Sequence, residues 1–596
     1  MRQANRLTAL RVAMKNRGVD AYIVPSSDPH QSEYVADHWK SRTWLSGFTG
    51  SAATLVVTQQ FAGLWTDSRY FLQAEEELKG SKFTLQKQGV PHAPEHADWL
   101  AQHLPNGATV GCDGALFSVS QIRHLAKALP KEVILDTTID LISEIWKDRP
   151  DLPQGQVFVH QEYYAGKSIA QKLQLIRHEM QIAMADFYLI TTLDDIAWTF
   201  NIRCDDVAFN PVAISYAIIG QEIAYLFIDE QKMSSDLVEI FRQEGIFIKP
   251  YDSIQTLLRK LPTGKNILVH QPSINIQLFN QIQRDQLISG VNIVAQLKTI
   301  KNATEIKHIR QAMRKDGVAL LRLYRWLEKE VHQRIVSEYE LAQQLADFRS
   351  QQSHYVGESF PAIVGYRGNG AIVHYRPLRN KSAVIKPTGI LLLDSGGQYL
   401  DGTTDITRTT TFDTPTSEQK RNFTLVLKGH IALATAKFPQ GTKGAQLDVL
   451  ARLPLWQHHL NYGHGTGHGV GFFLNVHEGP QGISPAVSGR SATTLQAGML
   501  TSNEPGFYKT NAYGIRIENL VLCVEDKKSA HGQFLTFETL TLFPIDLHLV
   551  DEKLLTGAEI DWLNAYHERV FEALSPALEL DETDWLREKC RPIVRL

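Results

Sequence analysis

RLTALRVAMKNRGVDAYIVPSSD at residues 6–28 returns as KLQLIRHEMQIAMADFYLITTLD at residues 172–194, a constant offset of 166. Each stretch reads as a basic helix, an apolar strand and a polar turn ending in an aspartate, Asp28 or Asp194. Tryptophan-centred segments follow, RTWLSGF around Trp44 and IAWTFNIR around Trp198, so the first copy carries about a dozen extra residues near QSEYVADHWKSR. Two copies at so long a period mean a duplicated domain rather than a solenoid. Both continue with strands (AATLVVT, AGLWTD; SYAIIG, AYLFID) and further helices, an α/β pattern.

The chain has 596 residues, too many for one core, and three or four domains are expected. The proline- and charge-rich KDRPDLPQG (147–155) marks one boundary and TIKNA (299–303) a second. This divides the chain into residues 1–152, 153–300 and 301–596. The last part opens with two amphipathic helices between Thr304 and Gln352, the second with Ser337 and Glu340 placed for a capping box. Short strands, a helix at 417–437 and a C-terminal helix near 557–575 complete an α+β region.

A net charge of −3 excludes nucleic acid as the main partner. Cys112, Cys204, Cys523 and Cys590 lie far apart with no CxxC pair, which fits a reducing compartment and excludes a thiolate zinc module. The first twenty residues hold five basic side chains and no acid before Asp20, as a transit peptide would. Leu7, Leu10, Val12 and Met14 instead suit an amphipathic first helix that runs into the strand AYIV. No apolar run reaches the length of a membrane span, so a cytoplasmic protein without a membrane partner is expected.

The chemistry gathers in the last 210 residues. NYGHGTGHGVG (461–471) sets His464 and His468 among glycines. In GILLLDSGGQYLDGTTDITRT (389–409), Asp394 ends an apolar strand, where a lone carboxylate is costly unless paired or metal-bound. A hairpin folded near Asp401–Gly402 would bring Asp394 and Asp405 to one side, in a register that spacing leaves open, with Asp401 as a turn residue. LTSNEPGFY (500–508) places Glu504 before a Pro–Gly turn, and YGIRIENLVLCV (513–524) alternates so that Arg516 and Glu518 point the same way. Four carboxylates with one or more histidines make a plausible site for two divalent cations and a bridging hydroxide nucleophile. Oxygen ligands with a single imidazole favour Mn2+, Co2+ or Fe2+ over structural zinc.

Asp394, Asp405, HGTGHGVG, LNVHEGP (474–480), NEPG and GIRIEN, in that order, resemble the pita-bread metallopeptidases: methionine aminopeptidase, prolidase and aminopeptidase P. The segments SSDPHQSEY, SGFTGSA, LWTDSRYFLQA, SYAIIG and YRWLEKEV resemble the large three-domain cytosolic Xaa-Pro aminopeptidases over essentially the whole chain. The resemblance implies two creatinase-like α/β domains followed by a pita-bread catalytic domain with a C-terminal helical extension. It implies that Asp394, Asp405, His468, Glu504 and Glu518 hold two divalent metals, Mn2+ foremost, with Co2+, Fe2+ or Zn2+ as alternatives. Glu504 would also shuttle the proton, and His374 and His477 would polarise the scissile carbonyl and stabilise the tetrahedral intermediate. His464, Arg516 and Tyr508 would stand on the substrate side. Glu358, in YVGESFP (355–361), stands where the family usually has a neutral residue, which bears on substrate preference if it faces the pocket.

The implied reaction is hydrolysis of the first peptide bond of peptides with proline second, by a homodimer. The nearest alternative is a prolidase, which shares the ligands but not the duplicated N-terminal half. Methionine aminopeptidase lacks that half. A non-catalytic peptide-binding scaffold or a metal-free creatinase-like hydrolase would have lost ligands that are intact here. His92, His96, His103, His124 and His160 show no ligand spacing and read as surface or satisfied core, as Trp44, Trp65 and Trp198 read as core.

Overall fold

A computed structural model describes residues 3–594. The chain divides into two compact units. One runs to Glu162 and from Lys167 to Val294, and the other takes Tyr163–Gly166 and the chain from Ala295 onward.

The first unit contains the duplication as two six-stranded sheets. In one, the strands lie in the order Thr84–Lys87, Ala62–Thr66, Thr54–Thr58, Ala21–Val24, Thr109–Gly111, Ile134–Asp136. In the other the order is Ile246–Lys249, Ala224–Phe227, Tyr216–Gly220, Phe187–Ile190, Ile267–Val269, Leu287–Ser289. Antiparallel and parallel pairings fall at the same places in both. AYIV is buried along its whole length, as a strand covered on both faces requires.

The preceding helix, Gln3–Arg17, buries Leu7, Leu10, Ala13 and Met14. Val12 is 54% exposed, because the inward stripe passes through position 13 rather than 12. The copies also repeat a side-chain contact. Arg6 donates to the Trp44 carbonyl (2.5 Å) with its guanidinium 4.9 Å from that ring, and Lys172 donates to the Trp198 carbonyl (2.9 Å) with its ammonium 4.3 Å from that ring. A cation at the start of each helix thus caps the short tryptophan helix packed beside it. Trp44, Trp65 and Trp198 are core residues, as expected. The SSDPHQSEY turn joins the copies: Asp28 accepts the amides of His30 and Ser32, and the His30 ring reaches the Thr191 carbonyl at 2.9 Å and the Tyr251 hydroxyl at 3.0 Å.

The second unit begins with the helix Ala303–Glu330, closed at its start by an Asn302/Glu305 capping box. It packs on the helix Glu338–Ser350. Ser337 caps that helix by accepting the Glu340 amide, but the expected capping box is only half made. The Glu340 carboxylate pairs with Arg334 at 2.7 Å instead of reaching back. A three-stranded sheet has Ile390–Ser395 between Ile363–Tyr366 and Ile406–Thr411. A six-stranded sheet runs Phe438–Pro439, Gly532–Thr539, Asn519–Ser529, Leu500–Asn503, Gly467–Gly469, Glu478–Ile483. The helices Ser417–Ala434, Gly444–Trp456 and Gly557–Leu574 pack around these sheets; Gly444–Trp456 and a further helix at Leu580–Lys589 were not anticipated.

Candidate metal centre

The register of the hairpin resolves what spacing left open. Asp394 lies opposite Thr407, and Asp405 precedes Thr407 by two residues, so the period of two puts Asp394, Asp405 and Thr407 on one face. Asp401 occupies the turn, as expected, and is also buried and held by Lys315 at 2.5 Å. His468 arrives from the strand Gly467–Gly469, and Glu504 and Glu518 from either side of the turn and hairpin at 506–516.

Glycine is required at two positions within HGTGHG by neighbouring strands. A Cβ on Gly467 would lie 2.0 Å from the Ser502 carbonyl oxygen, and one on Gly469 would lie 2.3 Å from that of Glu478. Only with hydrogen at those positions does the His468 strand fit between its partners. Gly465 has ordinary room.

The acids crowd one another. Ligand atoms of Asp405, His468 and Glu518 all lie within 4.8 Å of each other. His468 Nε2 is 3.5 Å from Asp405 and 3.3 Å from Glu504. Two atoms bound to one cation stand about 3 Å apart, so these separations suit shared coordination. Asp394, Asp405 and Glu518 are 7%, 3% and 1% exposed. Among the described residues the guanidinium paired directly with one of these carboxylates is Arg516, on Asp394 at 2.6 Å. Asp394 Oδ1 is buried without a hydrogen bond. Burial, then Glu518, Asp394 and Glu504, push the Asp405 carboxyl well above its ordinary range, and burial with Glu504 and Asp394 does the same to Glu518. Burial raises Glu504 to about 7 despite Arg516 nearby. A carboxylate set this short of positive charge fits divalent cations well.

The groups expected on the substrate side form a chain. His464 Nε2 meets the Tyr508 hydroxyl at 2.8 Å, Arg516 donates to that hydroxyl at 2.5 Å, and Arg516 continues to Thr407 (3.1 Å), which donates to Glu518 (2.8 Å). His477 stacks edge-on against His468, with centroids 4.4 Å apart. His374 is half-buried, and the carbonyl of its neighbour Val373 lies 3.4 Å from Arg516 Nη2.

Sequence reasoning did not single out Thr407, although its place two residues after Asp405 would have revealed it. It also missed Arg408 and His430. Arg408 is a buried cation whose bonds include the carbonyls of Thr407 and Glu518 and the side chain of Asn519. His430 contacts Asn503 and Asn519, neighbours of Glu504 and Glu518, from a helix 73 and 89 positions away.

Glu358 is paired with a cation nine residues upstream, just outside the YVGESFP segment. Arg349 binds it at 2.6 Å, binds Asp316 at 2.7 Å and reaches Ser395, next to Asp394, at 3.0 Å; Tyr355 donates to its other oxygen at 2.8 Å. The carboxylate is therefore spent on holding the hairpin from behind. Glu358→Gln is expected to cost about 1–3 kcal/mol of stability, by denaturant titration, while leaving KM for a peptide substrate within about twofold. A large KM change with unaltered stability would put the acid in the pocket after all.

Comparison with known proteins places this geometry in a class. Residues 307–525 match metallopeptidase family M24 and residues 533–593 the C-terminal region of that peptidase. Residues 6–148 and 148–305 each match the creatinase/prolidase N-terminal domain. Aminopeptidase P2 of Arabidopsis thaliana is 41% identical over 97% of this chain and 86% of its own. Xaa-Pro aminopeptidase 1 of Dictyostelium discoideum is 39% identical over 99% of this chain and 96% of its own. The crystal structure of an X-prolyl aminopeptidase from Caenorhabditis elegans, described as a cytosolic enzyme with a di-nuclear active site, matches with a TM-score of 0.94 at 36% identity and covers 100% of both chains. The chain belongs to metallopeptidase family M24, within its Xaa-Pro aminopeptidase P branch. Among the described residues no helix is long and apolar enough to cross a membrane.

Proposed function

We propose that the chain hydrolyses the first peptide bond of peptides whose second residue is proline. The observation that carries this reading is the coexistence, in one chain, of the intact carboxylate–histidine cluster and the duplicated N-terminal half, the layout shared with full-length Xaa-Pro aminopeptidases.

Asp394, Asp405, His468, Glu504 and Glu518 would hold two divalent cations, with Mn2+ favoured over Co2+, Fe2+ or Zn2+. When bound, the cations would supply a hydroxide nucleophile at neutral pH and Lewis-acid polarisation of the scissile carbonyl. Glu504 takes the proton released as the nucleophile attacks and delivers it to the proline nitrogen as that bond breaks. His374 and His477 donate to the oxygen on which negative charge develops. His464 faces the residue after the scissile bond and is oriented by Tyr508, which Arg516 orients in turn.

The division at 1–152, 153–300 and 301–596, a cytoplasmic setting and a homodimer belong to the same reading. Val449, Leu453 and Trp456, exposed at 40%, 46% and 43% along one face of the helix Gly444–Trp456, support self-association.

The test is a product assay on metal-stripped protein with Mn2+ restored, using an Xaa-Pro-Xaa tripeptide, the Xaa-Pro dipeptide and a tripeptide with alanine for proline. The first residue is expected to be released from the proline tripeptide alone. Cleavage of the dipeptide alone would make this a prolidase, and three intact substrates with metal bound would leave a binding scaffold.

A further inference from the structure

The helix Gly444–Trp456 buries an ion pair that the reaction above does not use. Asp448 and Arg452 stand four residues apart on its inner face, each 2% exposed, with Arg452 Nε 2.6 Å from Asp448 Oδ2. A buried ion pair is by itself poor support for a fold, so its remaining bonds decide what it does. Arg452 donates to the carbonyl of Tyr462 at 2.7 Å and to that of His464 at 2.8 Å. Its guanidinium lies 3.9 Å from the Tyr462 ring. The other oxygen of Asp448 accepts the Thr466 hydroxyl at 2.6 Å, and that hydroxyl also meets Tyr462 at 2.6 Å.

The pair therefore grips the loop at 462, 464 and 466, every second residue of Tyr-Gly-His-Gly-Thr. Glycines at 463 and 465 give this segment little conformational preference of its own, so its shape has to be imposed from outside. What the loop presents on its far side is chemistry. His464 reaches Tyr508, and the Thr466 carbonyl accepts the Glu504 amide at 2.8 Å.

We infer that Asp448 and Arg452 are the positioning residues of the peptide-binding wall: they set the loop that aims His464 at the substrate and seats the backbone of Glu504. The inference rests on the proposed aminopeptidase reading for what His464 touches, but not for what holds the loop. Neither residue is among the proposed ligands. The planar fork of Arg452 makes two divergent bonds to carbonyls while paired to Asp448, a geometry that lysine cannot reproduce.

The test is a double-mutant cycle in the full-length, Mn2+-loaded protein with Arg452→Lys, His464→Ala and their combination, assayed on the proline tripeptide. Amide hydrogen exchange and bound-metal content are measured on the same samples. Arg452→Lys is expected to lower kcat/KM about 10–100-fold, as a reactive group displaced by about 1 Å does. In the His464→Ala background it should lower kcat/KM by clearly less than in the wild type, because the part of its effect that passes through that side chain is already gone. Amides at 463–467 should exchange faster, with those at 519–524 and the metal content as in the wild type. Losses that multiply in the double variant, or faster exchange spread through the whole sheet, would reduce the pair to a generic structural role and overturn the inference. Should the wild type not cleave the tripeptide, the aminopeptidase reading fails, and exchange alone decides. Selective loosening of 463–467 upholds the grip on the loop, and unchanged exchange there refutes it.

Discussion

Glu504→Gln is expected to lower kcat on the proline tripeptide by about 10³–10⁴-fold, the range for losing a positioned proton carrier. The substitution keeps the shape of the side chain. The Ser502 hydroxyl, 3.1 Å from Glu504 Oε1, and the amide bond to the Thr466 carbonyl both have partners in the variant. What disappears is one of four carboxylates and the group that burial raises to about 7. Metal affinity should fall as well, so kcat is compared at saturating Mn2+ after a metal titration, and circular dichroism confirms the fold. A variant that retained a tenth of wild-type kcat under those conditions would move the proton carrier elsewhere, His477 being the nearest candidate by its stacking on His468.

Stripping the metals should make the protein less stable as pH rises, the opposite of ordinary carboxylate behaviour. An unfolded glutamate loses its proton near pH 4.3, whereas Glu504 in the metal-free fold keeps it to about 7. Between those values the unfolded chain holds fewer protons than the folded one, so stability is full on the acid side and falls through the window. Glu504 alone accounts for roughly 4 kcal/mol across the whole window, and Asp405 and Glu518, raised by burial and by neighbouring carboxylates, act in the same direction. Each cation at a hundred times its dissociation constant returns about 2.7 kcal/mol. The melting temperature of chelator-treated protein is therefore expected to drop between pH 5.5 and 8, and that of the Mn2+ form to hold or rise. A chelator-treated protein that gained stability over this range would mean the four acids are neutralised by groups other than metal.

Much of this architecture was legible without coordinates, because it rests on short-range pattern. The helix-to-strand echo at 6–28 and 172–194 needs only hydrophobic periodicity, and the two sheets repeat it strand for strand. The acids and histidines could be grouped because each sits at a strand end or in a glycine turn. What could not be read comes from pairings that no sequence pattern announces. Arg349 neutralises Glu358, Arg334 takes the carboxylate expected to complete a cap, and the carbonyls of Ser502 and Glu478 decide why positions 467 and 469 are glycine. The Asp394–Asp405 register was hidden for another reason. The connection carries two additional short strands of its own, Gly397–Tyr399 and Gly402–Thr403, so the tight turn at 401 is not the end of the outer pairing.

The entrance to the catalytic unit has a practical consequence for anyone wishing to produce that unit alone. Glu478, next to His477, is buried between Lys301 at 2.8 Å and Lys298 at 3.3 Å, and Thr299 binds Gln481 at 2.6 Å. Residues 298–301 look like a tether in sequence but are part of the floor beneath the histidines. A fragment begun at residue 307, where the peptidase match starts, would leave Glu478 as an unpaired buried anion behind His477. One begun at Ala295 keeps both lysines beside Glu478, so the boundary of a usable fragment lies upstream of the segment that looks dispensable.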